Sequence, residues 1–413
     1  MRYKIALFLI GIIIIVGCKR VPKNGNQQEH LPVAIIPASE SKSKPTINVY
    51  IENSASMDGY VGDNKTDFKT SVYSYLSDIQ ISDITNSLNL YYINSNIIPH
   101  RSDLSDFIEK LGPQSFRARG GNRGTTDISN MVDTIIKKTQ ETSLSILISD
   151  FIFSPGRGKH ADQYLINQQI GIKTNIAKAL KNRNLGIIVY QLSSEFKGRY
   201  YNREDRPTMI NARRPFYIWI IGDKENVAKL HAEIPMSKFK GSGIENVFTI
   251  IRGNQNVDYA IRPGTGKFNL DRENSKTKIV KTKRDHNEKV TFAVDADFSE
   301  LLLDGNYLKN LKNYSVSDKD YQLNITDSPA NPYGYTNSLN FISDIIKSTN
   351  LSVKLKMNIP EWVEQMNDDI GLNINANDAM GKTYGIKYLI NGVYEAFTKK
   401  ENFYTEIKIS INN

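Results

Sequence analysis

Beyond residue 45 the chain alternates short apolar runs with stretches whose apolar residues recur three and four apart. Ile47 to Glu52 reads as a buried strand, and "TDFKTSVYSYLSDI" sets Phe68, Val72, Leu76 and Ile79 on one helical face. "LNLYYIN" is the next strand, and a turn at Asn94-Ser95-Asn96 followed by "IIP" predicts a hairpin. "RSDLSDFIEKLG" follows as a helix with Leu104, Ile108 and Leu111 inward and Gly112-Pro113 as its stop. After a Gly- and Arg-rich loop, "TDISNMVDTIIKK" spaces Ile128, Val132 and Ile135 helically, and "LSILISDF" is a continuous apolar strand ending at Asp150. A long helix within residues 160–183, the strand "GIIVYQLS", an irregular insertion, the strand "FYIWIIG" and a helix near "KENVAKLHAEI" complete the pattern. Continuous apolar strands between helices predict a doubly wound α/β domain with a mostly parallel sheet over residues 46–235.

From residue 236 onward the pattern changes. "VFTIIRG", "KIVKTK", "KVTFAVDADF", "YQLNI" and "LSVKLKMNI" read as short strands with polar connections, so residues 236–413 are expected to form a β-rich, sandwich-like domain. A terminal amphipathic helix is the exception, with Ile386, Leu389, Ile390, Val393 and Phe397 as a core-facing stripe. Two motifs in this half lack the spacing their chemistry needs. "GTGKF" is too short for a phosphate loop, and the acids of "EWVEQMNDDIG" have no neighbour that assigns an acid and a base. Trp362 is expected to dock that segment onto the sheet. The five histidines are scattered, with neither zinc spacing nor a hydrolytic triad.

The first 45 residues are different again. "MRYKIALFLIGIIIIVGCKR" opens with Arg2 and Lys4, continues through an apolar run shorter than the ~20 residues that span a bilayer, and closes on Gly17-Cys18. This is the layout of a bacterial secretory signal over residues 1–17, and Ile15-Val16-Gly17-Cys18 resembles the lipobox of bacterial lipoproteins, whose Cys is acylated. Cys18 is the only cysteine, so no intramolecular disulfide can form. The polar residues 19–45 then read as a flexible tether from the lipid at Cys18. Lys19 after the acylated Cys resembles lipoproteins sent to the outer membrane, which places the protein in the bacterial cell envelope. The alternative is an uncleaved short anchor.

The chain has 413 residues, of which 39% are hydrophobic and 23% charged, and a formal net charge of +9. That length favours two domains. The basic balance alone could suggest nucleic acid, but the export signal and the spread of Lys and Arg along the chain argue against it. Anionic lipid, glycan or an acidic protein suits the charge better, and a merely solvated basic surface accounts for it equally.

Candidate chemistry gathers at strand ends, where sheets of this kind bind ligands. Glu52, Ser54 and Ser56 follow the first strand, Thr125 and Thr126 open a helix, and Asp150 ends "LSILISD". Alone, the first cluster is either a hard-metal loop or an ordinary polar turn. Together, "ENSASM", "GGNRGTTDIS" and "LISDF" resemble the three metal-site motifs of the von Willebrand factor A domain, over about residues 46–235. The resemblance implies a metal-ion-dependent adhesion site with Ser54, Ser56 and Thr126 as hydroxyl ligands and Asp150 as a carboxylate bonded directly or through water. Glu52 stands where the family has Asp, one methylene longer. Oxygen ligands without sulfur or imidazole suit Mg²⁺, Mn²⁺ or Ca²⁺, and Ca²⁺ best tolerates the altered geometry. The open coordination position implies a protein partner supplying an acidic side chain. Arg117, Arg119 and Arg123, with the insertion "FKGRYYNREDRPTMINARRP", should rim the same edge as an anion-binding patch, the alternative being solvated loops. The expected function is therefore a membrane-anchored binding module, not an enzyme. A metal-free structural lipoprotein and an envelope hydrolase with its site in residues 236–413 are the alternatives.

Overall fold

The computed structural model describes residues 44–413 except 63–64, 125–126, 157, 159 and 376–377. The expected signal segment, Cys18, most of the tether and Thr126 lie outside the described residues. The protein is a mixed α/β structure. Strands β1 (Thr46–Glu52), β2 (Ser87–Ile93), β3 (Ile97–His100), β4 (Ser143–Ser149), β5 (Leu185–Tyr201), β6 (Pro207–Asp223) and β7 (Asn246–Ile250) form one sheet in the order β3-β2-β1-β4-β6-β5-β7. β1 runs parallel to β2 and to β4, and the other four pairings are antiparallel.

The expected mostly parallel sheet is thus parallel only at its centre, and the cause is the chain after β4. β5 and β6 pair directly along their whole length, from Leu185 opposite Asp223 to Tyr201 opposite Pro207. No crossover helix separates them, so β6 must return antiparallel beside β4. Pairing of β6 with β4 ends at Tyr217 opposite Ser149. The residues between, which read in sequence as an irregular insertion, are a hairpin arm that continues past the carboxyl ends of β1 and β4.

Period-two alternation sends successive strand residues to two cores. Ile47, Val49 and Ile51 of β1 with Ile146 and Ile148 of β4 join one. Tyr50, Leu147, Val189 and Trp219 join the other. The first face is covered by α1 (Asp67–Ile81), α2 (Leu104–Glu109) and α6 (Lys224–Glu233). The second is covered by α4 (Ile128–Lys138) and α5 (Ala161–Ala179), while α3 (Pro113–Ala118) lies in the loop before α4. Phe68, Val72, Leu76 and Ile79 of α1 are all fully buried, as their spacing predicts. In α2 the buried residues are Leu104 and Phe107, with Ile108 only half-buried, because the helix is a turn and a half long. Gly112-Pro113 does stop α2, but it also starts α3, with Gly112 as N-cap and Pro113 inside the first turn.

The rest of the chain adds β8 (Tyr259–Arg262), β9 (Lys267–Leu270), β10 (Lys278–Lys283), β11 (Val290–Ala296), β12 (Tyr314–Val316), β13 (Tyr321–Asp327), β14 (Asn337–Ser343) and β15 (Thr349–Lys356). The short helices α7 (Gly305–Lys309) and α8 (Trp362–Gln365) and the two-residue strands β16 (Asn367–Asp368) and β17 (Thr383–Tyr384) precede α9 (Ile386–Phe397) and β18 (Phe403–Asn412). Three sheets result: an antiparallel β13-β14-β11-β8; β12-β15-β18-β10-β9, in which only β10 and β18 are parallel; and the small parallel pair β16-β17. Their buried residues, among them Phe292, Leu339, Val353 and Ile409, share one core with the first face of the large sheet. α9 buries Ile386, Leu389, Ile390, Val393 and Phe397 in the core of the second face, beside α5. It is not terminal: β18 follows it, and the burial of alternate residues from Thr405 to Ile411 marks that strand. Trp362 donates to Val247 O at 3.0 Å and so docks its segment on β7.

Candidate functional site

β1 and β4 are parallel neighbours, so their carboxyl ends deliver Glu52 and Asp150 to one place. Both side chains are buried, Glu52 at 2% and Asp150 at 1% exposure. The Glu52 carboxylate accepts the Ser149 hydroxyl, which in turn accepts Phe151 N at 2.8 Å. Beyond β1, the Ser54 and Ser56 hydroxyls lie 2.9 Å apart, at the start of a 3₁₀ turn over Ser56–Tyr60. Asp150 Oδ1 accepts Ile152 N at 3.3 Å, whereas Oδ2 is buried with no hydrogen-bond partner among the described residues. Such an orphaned buried oxygen is costly and calls for a reason.

Burial drives the Asp150 carboxyl well above the usual carboxylate range, and the charge of Glu52 adds to the rise. The Ser56 hydroxyl, the Ile152 amide and Arg214 pull the other way. Phe151, directly after Asp150, holds φ at 48° and is fully buried against Trp219, 5.0 Å between ring centroids. A left-handed conformation in an aromatic residue stores on the order of 1–3 kcal/mol and persists only where surroundings impose it.

Arg214 is the residue that sequence reasoning missed. It lies on the arm part of β6, is completely buried, and donates to Met380 O and Lys382 O, each at 2.9 Å. Its guanidinium lies 4.7 Å from the centre of the Tyr200 ring. The signal was available: Ile210, Ala212 and Arg214 alternate along one face of a strand, which puts the arginine in register with inward residues. Two buried carboxylates against one guanidinium leave the site net negative when all are ionised.

The loop before α4 is pinned to the β1 turn. Ala55 N donates to Arg123 O at 2.9 Å, and Arg123 Nε donates to Asn53 O at 2.7 Å. The same guanidinium reaches Ser54 O at 3.1 Å and pairs with Asp58. Asn53 Nδ2 donates to Phe116 O at 3.1 Å, and Asn94 Nδ2 bridges Asn53 Oδ1 and Gly120 O. A Cβ on Gly121 would lie 2.1 Å from Asn94 Oδ1, and its φ is +77°, so this loop requires glycine there. Asp127 accepts Asn130 N at 3.0 Å and so caps α4.

The three arginines do not form one exposed rim. Arg123 is 15% exposed and spent on Asn53, Ser54 and Asp58, and Arg119 turns its guanidinium over Tyr92 at 4.6 Å. Both are drawn inward because bare carbonyls and an aromatic face there need a donor. Arg117 remains 66% exposed, 3.3 Å from Asp58. With Arg199 and Tyr201 of the hairpin arm it lines a cleft of about 480 Å³ that Ala55 and Asp58 also border.

Hard oxygen donors around an orphaned carboxylate oxygen fit a small divalent cation. Among the described residues no three His, Cys, Asp or Glu side chains gather as a metal cluster. Nor is any helix among them long and apolar enough to cross a membrane. No protein-family model matches the sequence, and no curated protein matches it.

Proposed function

We propose that this is a lipid-anchored cell-envelope protein whose residues 46–235 act as a von Willebrand factor A-like module. In this reading Glu52, Ser54, Ser56, Thr126 and Asp150 hold Mg²⁺, Mn²⁺ or Ca²⁺, and a protein partner binds over the ion. The observation that carries it is the buried Asp150 Oδ2, which has no hydrogen-bond partner among the described residues, beside the Ser54 and Ser56 hydroxyls. The order β3-β2-β1-β4, with β1 parallel to both neighbours, supports it; the antiparallel hairpin beside β4 is a departure from a doubly wound sheet. When bound, the ion would supply positive charge with a coordination position for an outside carboxylate. The protein's part is to hold the donors: Ser149 orients Glu52, and Arg123 fixes the backbone of the Ser54 turn.

Thermal melting with EDTA and then with millimolar Mg²⁺, Mn²⁺ or Ca²⁺ tests the site. An ion at a hundred times its Kd adds about 2.7 kcal/mol, and Ser56→Ala and Asp150→Asn should each abolish the gain. Identical melts with every ion would end the metal reading. The anchor is tested separately, by mass spectrometry of the membrane fraction and by its loss in Cys18→Ser.

Arg214 favours a second reading, in which its guanidinium is the site's permanent counter-charge and the module binds its partner without metal. That reading expects flat melts in all three ions and binding that survives EDTA.

A further inference from the structure

A cleft of about 780 Å³ opens between β7, the preceding loop, α7 and the turn at residues 358–362, and it shares no lining residue with the cleft at Asp58. Its volume is that of a small-molecule site, which generally falls at about 300–1,000 Å³. The lining combines amides with aromatic rings: Asn246, Asn306, Asn310 and Asn358, with Trp362 and Tyr394.

The amides keep hydrogen-bonding capacity in hand. Asn246 uses its nitrogen toward Gln191 Oε1, Asn358 uses its nitrogen toward Asn313 Oδ1, and Asn310 uses its oxygen toward Lys312 N. Two carbonyl oxygens and one amide nitrogen therefore remain for a ligand, together with the exposed Asn306. The charges around the cleft are already committed. Glu245 accepts from Gln191 and Ser193, Lys312 pairs with Glu361 at 2.8 Å, and Asp304 caps α7 through Asn306 N and Tyr307 N. Lys312, the one basic residue of the lining, is thus paired, so an anion finds no unspent cation there. A ligand with many hydroxyls and an apolar face suits the rest of the lining: amides donate to and accept from hydroxyls, and aromatic carbon packs against C–H surface.

We propose that this cleft binds a neutral oligosaccharide. The chain has two tryptophans, and Trp219 is fully buried in the large sheet, so a fluorescence change on ligand addition reports on Trp362. The full chain is titrated with N-acetylglucosamine hexamer, cellohexaose and maltohexaose, followed by intrinsic fluorescence and calorimetry in the presence of EDTA. At least one should give a saturable signal, weakened tenfold or more in Asn306→Ala/Asn310→Ala, whose two positions are exposed and leave the core untouched. No saturable heat or fluorescence with any of the three overturns the proposal, as does a double variant that binds like the parent protein. Saturation seen only when EDTA is left out also overturns it, because the amides and rings named here need no cation to bind hydroxyls.

Discussion

Arg214 and Asp150 are the two side chains on which the site balances. Removing the guanidinium takes away a positive charge that lowers the Asp150 pKa and three donated hydrogen bonds from residues 379–382. Arg214→Ala should destabilise the fold in urea denaturation by about 1–3 kcal/mol for each buried carbonyl it leaves without a donor. Arg214→Lys should recover little, because an ammonium cannot reach carbonyls in several directions from one plane. A second residue prediction concerns pH. His231 Nδ1 lies 2.8 Å from Tyr190 OH, and burial lowers the imidazole's pKa. The folded state then binds its proton less readily than the unfolded chain, whose histidine titrates near 6.5. This contribution is present above about pH 6.5 and is lost as pH falls below it. Protonation of Asp150, whose pKa is raised, acts in the opposite sense over the same range, so the histidine's contribution is read as a difference. Between pH 8 and pH 5 the parent protein should lose more melting temperature, or gain less, than His231→Gln.

Among elements, the β5–β6 arm shows best what periodicity can and cannot reveal. α1, α4 and β4 were legible because each buries whole faces, and their apolar residues therefore repeat at 3.6 or run without interruption. The arm buries only alternate residues, Phe196 and Tyr200 on one strand and Ile210 and Arg214 on the other, with charges between them. Its alternation is diluted by Lys, Arg and Glu, and it reads as a loop. β18 was hidden for a related reason: charged Glu406 and Lys408 sit on its outer face, between buried Ile407 and Ile409. Of the candidate site, Glu52, Ser54, Ser56 and Asp150 were placed together by strand-end logic alone. The inward turns of Arg119 and Arg123 were not legible, because they depend on carbonyls and a ring brought close only by folding. The arm also seats the site. Gly198 on β5 abuts Gly59 in the 3₁₀ turn, where a Cβ on Gly198 would lie 2.8 Å from Gly59 Cα. Gly198→Ala should push the arm from the turn and destabilise by about 1–3 kcal/mol, measured by chemical denaturation. Any ion-dependent gain in melting should shrink with it.

At the scale of the whole molecule, the described residues belong to one compact unit. β7 completes the large sheet from beyond residue 235, and α9 fills the core of its second face. Residues 44–413 should therefore melt in a single cooperative transition. A fragment ending at 235 should expose Phe153, Leu165 and Ile172, which now pack in the same core as α9, and give a broadened or absent transition by calorimetry. The change of pattern near residue 236 was real as a shift from helix-separated to closely spaced strands. It carried no information on whether the two stretches share a core, since a buried residue looks the same whichever partner buries it.

Arg214 ties these scales into a thermodynamic linkage. One end of its influence is the charge it lends Asp150; the other is the hold it keeps on the carbonyls of residues 379–382, just ahead of α9. A cation arriving at Asp150 would compete with the guanidinium for the same negative charge, freeing Arg214 to bind those carbonyls on different terms. If such an ion binds and is coupled to that hold, a contact favoured by the ion would raise the ion's affinity by the same factor. In that case a partner gripping residues 379–382 would be felt at the carboxyl end of β4 through the Arg214 side chain.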